Sequence, residues 1–399
     1  MKRRHFLVAG GLLATGSYIN HRALRYPRLS FEPTNPVNKY ASAQTQLDLK
    51  DLIINQQANN QFSVRAIAPE PKLEITQLES SSNHLSININ NLAPSAILKI
   101  DAASSVNVHE QISGINRLIE INGLTKQSVS LSWSLADSNT LSFAAIGDSG
   151  GGHELEWCLT RAQQLSVDFF LHLGDFNYGN DEYDLAIEKF YNAPMPVYVS
   201  IGNHDFNDGG LIYQQFLQKL GPMNHSFVVA GTRFINIDTA VNFFPAYAGN
   251  RGDLMRAITS SSKQVDDHVV FTHKPFFDTR IGEDHDISGI GEKNWLYNAM
   301  HSIEAKNLLC GHVHLSSEYD HKGIYQWIAG EGLGHEDLVH QAQVSKILIG
   351  KVNNELAVNY EWQNLNMPWE MHQSHTHEKK LKDYGNMKQL EWYLESIKS

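Results

Sequence analysis

Between about Gln44 and Ser138, apolar and polar positions alternate with period two. Leu85, Ile87 and Ile89 interleave with Ser86, Asn88 and Asn90, and Val129, Leu131, Trp133 and Leu135 interleave with serines. Such alternation marks antiparallel strands with one face in a core and the other in water. Several short runs of this kind, separated by Asn, Ser and Pro, predict a small β-sandwich. Nothing there forms a catalytic cluster, so the stretch reads as a structural or substrate-shaping module.

From Leu141 the pattern changes. Apolar runs cover Leu141–Ile146, Val167–Leu173, Pro196–Ile201, His268–Thr272 and Asn307–Cys310, and Ser226–Ile237 reads as a strand pair. Helical patterns follow Gly151 and span Asp184–Asn192, Leu211–Leu220 and Asn294–Ile303. Leu141 to Leu173 is a strand–helix–strand unit, whose crossover implies parallel pairing. The alternation of strands and helices continues to about Trp362. The chain therefore divides into an export signal and linker (1–43), a β-sandwich-like module (44–138), an α/β domain (139–365) and a tail with a helix (366–399). In that tail His372, His375 and His377 read as a solvated linker, and the stripe from Leu381 to Ile397 as a docking helix.

Composition narrows the function classes. A chain of 399 residues that is 42% hydrophobic and 19% charged has enough apolar material for two folded cores. A net charge of −11 argues against nucleic acid or an anionic membrane as partner, since both need a basic face. It does not argue against a small phosphorylated substrate, because a bound cation sets the local field. Two cysteines, Cys158 and Cys310, make no disulfide framework and read as buried thiols. Lys2-Arg3-Arg4 ahead of the apolar stretch Phe6–Ile19 reads as an export signal rather than a stable membrane span. Arg3-Arg4-His5-Phe6-Leu7 resembles a twin-arginine signal, so a periplasmic or extracellular location is expected. Ala41-Ser42-Ala43 fits a cleavage pattern but lies far from the apolar core. The sequence sets no oligomeric state.

The candidate chemistry sits where the apolar runs end. Ile146 leads to Gly147-Asp148, Leu173 to Gly174-Asp175 with Tyr178, and Ile201 to Gly202-Asn203-His204-Asp205. Phe271 leads to Thr272-His273, and Cys310 to Gly311-His312-Val313-His314. Ligands of open α/β sheets bind beyond the carboxyl ends of the strands, so these residues are expected together at one end of one sheet. Carboxylates aimed at one point repel unless a cation lies between them. The mixture of Asp, Asn, His and Tyr suits first-row transition metals.

In this order, the five stretches resemble the motifs of the purple acid phosphatases, within the calcineurin-like metallophosphoesterase superfamily. The resemblance spans about Leu141 to His335. Gly150 stands where the wider superfamily usually has histidine, and Tyr178 is present, as in the purple variant. It implies an α/β fold, a four-layer metallophosphoesterase β-sandwich flanked by helices, preceded here by the small all-β module. It also implies two metal ions, Fe(III) plus Fe(II), Zn or Mn. Asp148, Tyr178 and His314 would hold one metal and Asn203, His273 and His312 the other, with Asp175 bridging. His204, as proton donor, would face the substrate together with His285 and Asn203. The implied reaction is acid-phosphatase hydrolysis of phosphate esters by a metal-bridging hydroxide. His153, His225 and His335 carry no assigned role, and Gly330–Gly334 resembles the glycine-rich loop that packs beside the site.

Three other readings compete. Gly147-Asp148-Ser149-Gly150-Gly151 resembles the nucleophile stretch of trypsin-like proteases, but no matching histidine motif precedes it. A phosphodiesterase or nucleotidase of the same superfamily would share the metals and differ in its pocket. A secreted, non-catalytic binding module on the same fold would be expected to have lost ligands, and all seven side chains are present.

Overall fold

The computed structural model describes residues 39–368 apart from 43, 59, 79–83, 136–139, 180–181, 208–211, 241–248, 262–264, 281, 335–343 and 353–356. The stretch read as an export signal, His335 and the tail histidines with the stripe read as a helix lie outside the described residues.

The first strand, β1 (Lys39–Ala41), begins ahead of the expected module start at Gln44. It is followed by β2 (Thr45–Lys50), β3 (Leu52–Ala58), β4 (Gln61–Ala66), β5 (Lys72–Gln77) and β6 (His84–Asn90). Then come β7 (Ile97–Ala102), β8 (Asn107–Ser113), β9 (Asn116–Asn122) and β10 (Ser128–Ser134). They form two sheets, ordered β1-β2-β5-β10-β7 and β3-β4-β6-β9-β8. The period-two residues do what alternation demands. Leu73, Ile75, Val129, Leu131 and Trp133 of one sheet share a core with Phe62, Val64, Leu85, Ile87, Ile89, Ile119 and Ile121 of the other. This is the expected all-β module.

The rest of the chain continues with β11 (Leu141–Ile146), α1 (His153–Gln164), β12 (Phe169–His172), α2 (Glu182–Tyr191) and β13 (Val197–Val199). Next are α3 (His204–Asn207), α4 (Ile212–Lys219), β14 (His225–Val229), β15 (Thr232–Asn236), α5 (Gly249–Thr259) and β16 (Asp267–Phe271). It closes with α6 (Ile290–Ser302), β17 (Asn307–Cys310), β18 (Ser316–His321), β19 (Ile324–Ala329), β20 (Lys346–Val352) and β21 (Asn359–Asn364). β11, β12 and β13 pair in parallel, as the crossover requires.

One expectation is corrected. The five strands that lead into the candidate ligands belong to two sheets, β13-β12-β11-β20-β21 and β14-β15-β16-β17-β19-β18. β11, β12 and β13 lie in the first, β16 and β17 in the second. These five strands are buried on both faces along most of their length, so they read alike as apolar runs and periodicity cannot assign them to a sheet. Phe143, Phe169, Leu171 and Leu173 pack between the sheets against Phe227, Phe234, Val269, Phe271 and Leu309. Phe143 and Phe169 stack at 5.4 Å, and Phe234 meets Phe143 edge-on at 5.3 Å. Such pairs contribute ~0.5–1.5 kcal/mol beyond their burial. Leu155, Phe190 and Phe216 of α1, α2 and α4 cover the outer face of the first sheet, and Met255, Leu296 and Met300 of α5 and α6 cover that of the second. The result is the expected four-layer α/β architecture.

The all-β module is joined to the first sheet by buried polar groups. Asn91 accepts the Val197 N–H through Oδ1 at 2.8 Å, and its Nδ2 donates to the Val197 carbonyl at 3.0 Å. Arg65, 1% exposed, donates to the same carbonyl at 3.0 Å. It also donates to Asn90 Oδ1 and lies 5.0 Å above the Tyr191 ring.

Candidate metal centre

Although they come from two sheets, the strand ends converge. Asp148, Tyr178 and His314 form one group of donor atoms. Tyr178 Oη lies 3.4 Å from Asp148 Oδ1 and 3.3 Å from His314 Nε2, and the last two are 3.6 Å apart. A second group surrounds His273 Nε2, with Asn203 Oδ1 at 2.9 Å, His312 Nδ1 at 3.1 Å and Asp175 Oδ2 at 3.3 Å. Donor atoms ~2.1 Å from one ion lie ~3.0–3.4 Å from one another, and the separations of 3.3–3.6 Å in the first group and 2.9–3.3 Å in the second lie close to that spacing. Among the described His, Cys, Asp and Glu residues, Asp175, His273 and His312 are the group whose ligand atoms all lie within 4.8 Å of each other. All seven expected ligand side chains are thus brought together.

The local backbone is shaped for this convergence. Asp148, Asp175 and His312 have φ of 59°, 57° and 66°, a left-handed conformation that costs energy for residues with a Cβ and collects at functional sites. The His312 N–H donates to Asp148 Oδ2 at 2.7 Å and fixes one of them. Glycine is needed for approach: a Cβ on Gly202 would stand 2.1 Å from Asp175 Oδ1, and one on Gly311 2.4 Å from Asp148 Oδ2. Gly332 N donates to the Gly147 carbonyl at 3.0 Å, which packs the glycine-rich stretch against the first ligand loop.

Three supporting groups were not assigned from the sequence. Asp205, fully buried, accepts backbone N–H groups of Gly202 at 2.7 Å and of Asp175 and Phe176 at 2.9 Å, tying the β12 and β13 ligand loops together. His172, also fully buried, accepts the Gly174 N–H at Nδ1 (3.3 Å). Its Nε2 lies 2.8 Å from Ser149 Oγ, which donates to the Gly150 carbonyl at 2.8 Å. That chain links the first two ligand loops. Glu182 accepts the Tyr178 N–H at 2.6 Å. Asp205 was visible in sequence as the last residue of Gly202-Asn203-His204-Asp205, and His172 as a histidine inside the apolar run Val167–Leu173. Glu182 carries no comparable signal.

Electrostatics mark the same place. Burial opposes charge on His273, yet Asp175 and Asp148 raise it to about 9. Burial also opposes charge on Asp175, but His273 and the N–H of His204, 2.9 Å away, hold it below the usual carboxylate range. Burial lifts Asp148 to about 7, and burial with the neighbouring His273 drives His312 down to about 2. With protein groups alone, a proton on His273 is the counterion between the carboxylates. Its Nδ1 faces the Leu173 carbonyl at 2.8 Å and donates to it, so Nε2 is the nitrogen available to a cation.

The expected substrate residues lie at the rim. His204 is exposed, with its ring 4.7 Å from that of Tyr178. His285 is exposed, 5.9 Å from the ring of His312. His153 instead pairs with Glu156 on the surface at 3.5 Å, and His225 is half-buried, 3.2 Å from the Pro222 carbonyl.

Residues 141–316, which include every one of these candidate ligands, match the family described as calcineurin-like phosphoesterase. No curated protein matches the chain. Among solved structures, the chain is similar to a purple acid phosphatase from yellow lupin (Lupinus luteus) seeds, at 10% identity and TM-score 0.44 over 79% of this chain and 72% of that one. It is similar to a dimetal phosphatase from Danio rerio at 10% identity and TM-score 0.40 over 57% and 97%. It is also similar to the anchor in the inner membrane complex of Plasmodium at 14% identity and TM-score 0.43 over 57% and 85%.

Proposed function

We propose that this chain hydrolyses phosphate esters at a pair of metal ions, as an exported enzyme of the acid phosphatase type. The observation that carries the reading is the two adjoining groups of donor atoms at metal-ligand spacing, one around Asp148 and one around His273. The donor set fits: carboxylate, phenol and imidazole in the first, imidazole, amide and carboxylate in the second. Asp148, Tyr178 and His314 would hold one ion and Asn203, His273 and His312 the other, with Asp175 between them. Such a pair supplies Lewis-acid charge and an acidified water to phosphoester chemistry. The phenol of Tyr178 supports Fe(III) in the first position.

The chain's own residues supply the rest. His273 must give up its Nε2 proton to accept a cation, and Asp175 stays ionised throughout. Asp205 keeps the Asp175 loop in place through its three N–H contacts. His204, its backbone fixed on Asp175 and its ring at the rim, is placed to hand a proton to the departing oxygen of the ester. His285 and Asn203 would contact the phosphate oxygens.

The test is metal analysis of purified protein, together with hydrolysis of a panel of aryl and alkyl phosphate monoesters and diesters. Two metal equivalents with monoester turnover at acidic pH support the reading. Protein that binds neither iron nor a divalent ion and hydrolyses none of the panel overturns it.

A further inference from the structure

The loop after His273 holds a polar assembly outside the ligand motifs. The side chain of Asp278, 1% exposed, grips Arg280 with both oxygens: Nε donates to Oδ1 at 3.0 Å and Nη2 to Oδ2 at 2.7 Å. The backbone N–H groups of Arg280 and His285 add to the hold at 3.0 and 3.2 Å. Burial works against the Asp278 charge, but Arg280 keeps its carboxyl below the usual range. The same Arg280 Nη2 lies 2.8 Å from His285 Nδ1.

This arrangement brings no surplus positive charge to the rim. Arg280 is matched by Asp278 in direct contact, and Glu283 Oε2 stands 3.5 Å from His285 Nδ1. Attraction of an anion is therefore not what the arginine adds; orientation is. A guanidinium has donors and no acceptor, so a nitrogen 2.8 Å from it must present a lone pair. Asp278 Oδ2 and Glu283 Oε2 are each 3.5 Å from that nitrogen, too far to compete for a proton on it. The ring proton then belongs on Nε2.

We infer that Arg280, braced by Asp278, is a positioning residue that fixes His285 in the Nε2–H tautomer, a preset hydrogen-bond donor for a non-bridging oxygen of a phosphoester. The tautomer follows from the Arg280 contact alone, and its use on a phosphoester rests on the proposed hydrolysis. On this reading His285 binds and orients and is not a proton donor to the leaving group.

Two measurements on the full chain test it. Imidazole proton–nitrogen correlation spectra of the metal-free protein, with His285 assigned by its loss in His285→Ala, are expected to show the Nε2–H tautomer. In Arg280→Met that signal is expected to move to a mixture of tautomers. Arg280→Met leaves Asp278 unpaired, so Asp278→Asn/Arg280→Met, which removes both charges, is measured beside it. In the metal-loaded protein, His285→Ala and Arg280→Met are each expected to lower kcat/KM for a phosphate monoester by roughly tenfold or more. The pair combined is expected to be no worse than His285→Ala alone. An Nδ1–H or doubly protonated His285 in the unaltered protein, or losses that multiply in the combined variant, overturns the inference. A protein with the expected tautomer but no hydrolysis keeps the positioning role and sinks the phosphoester reading instead.

Discussion

Removing the metals is expected to make stability fall with rising pH above neutrality, where the metal-loaded protein should show no such slope. In the metal-free fold His273 is raised to about 9, whereas an unfolded histidine loses its proton near ~6.5. Between those values the folded chain holds a proton that the unfolded chain has released. Stability is then fully present below the unfolded value and is lost as pH rises toward the folded one. One proton corresponds to a slope of ~1.4 kcal/mol per pH unit, or ~2 kcal/mol from pH ~7 to ~8.5. Asp148, at about 7, has the same sign but is spent near the start of that window. His172, His225 and His312, held by burial at about 3, about 4 and about 2, change stability only below the unfolded histidine value and stay flat within it. Burial also pushes the Cys310 thiol well up, so the window ends before an unfolded thiol titrates at ~8.5. With saturating metal, His273 carries a cation in place of the proton and the slope should vanish. The assay is a set of denaturation curves across the window, with chelator and with metal. Parallel curves in the two conditions would refute the assignment of His273 as a ligand that exchanges a proton for a metal.

Three further outcomes follow from single side chains. Asp205→Ala orphans three buried backbone N–H groups and is expected to cost roughly 3 kcal/mol or more in denaturation experiments and to lower metal content; wild-type stability and occupancy would show that the loops hold without it. His204→Ala is expected to keep both metals and lose ~10²–10⁴-fold in turnover of alkyl phosphates, which have poor leaving groups, so an unchanged rate would remove it as proton donor. Tyr178→Phe is expected to abolish a visible tyrosinate-to-iron absorption and to weaken the first metal position, as read by spectroscopy and metal analysis. A fully metallated, iron-free and colourless parent protein would overturn the Fe(III) assignment.

The ligand loops were legible because short apolar runs ending in Gly-Asp, Gly-Asn-His or Gly-His-x-His bring several independent constraints to one place. The all-β module was legible from the alternation at Leu85–Ile89 and Val129–Leu135. Sheet membership was not, since a strand buried on both faces looks the same in either layer. α5 escaped because Gly249 and Gly252 sit in a helix with few apolar positions. Asp278 and Arg280 carry no periodic signal; only the path of the loop sets them beside His285.

The Asn91 contact bears on how this chain can be divided. β13 is an edge strand of the first sheet, and an exposed edge invites pairing with another chain. Asn91 and Arg65, both from the all-β module, occupy the outward N–H and C=O of Val197, so a side chain of one half stands in for a neighbouring strand of the other. An α/β half expressed without residues 39–134 would present that edge open, next to the loop that carries Asn203 and His204. Self-association through β13 is the failure to expect of such a truncation, even with every ligand side chain still in the sequence. The all-β module thereby acts as a built-in guard on aggregation at the rim of the site.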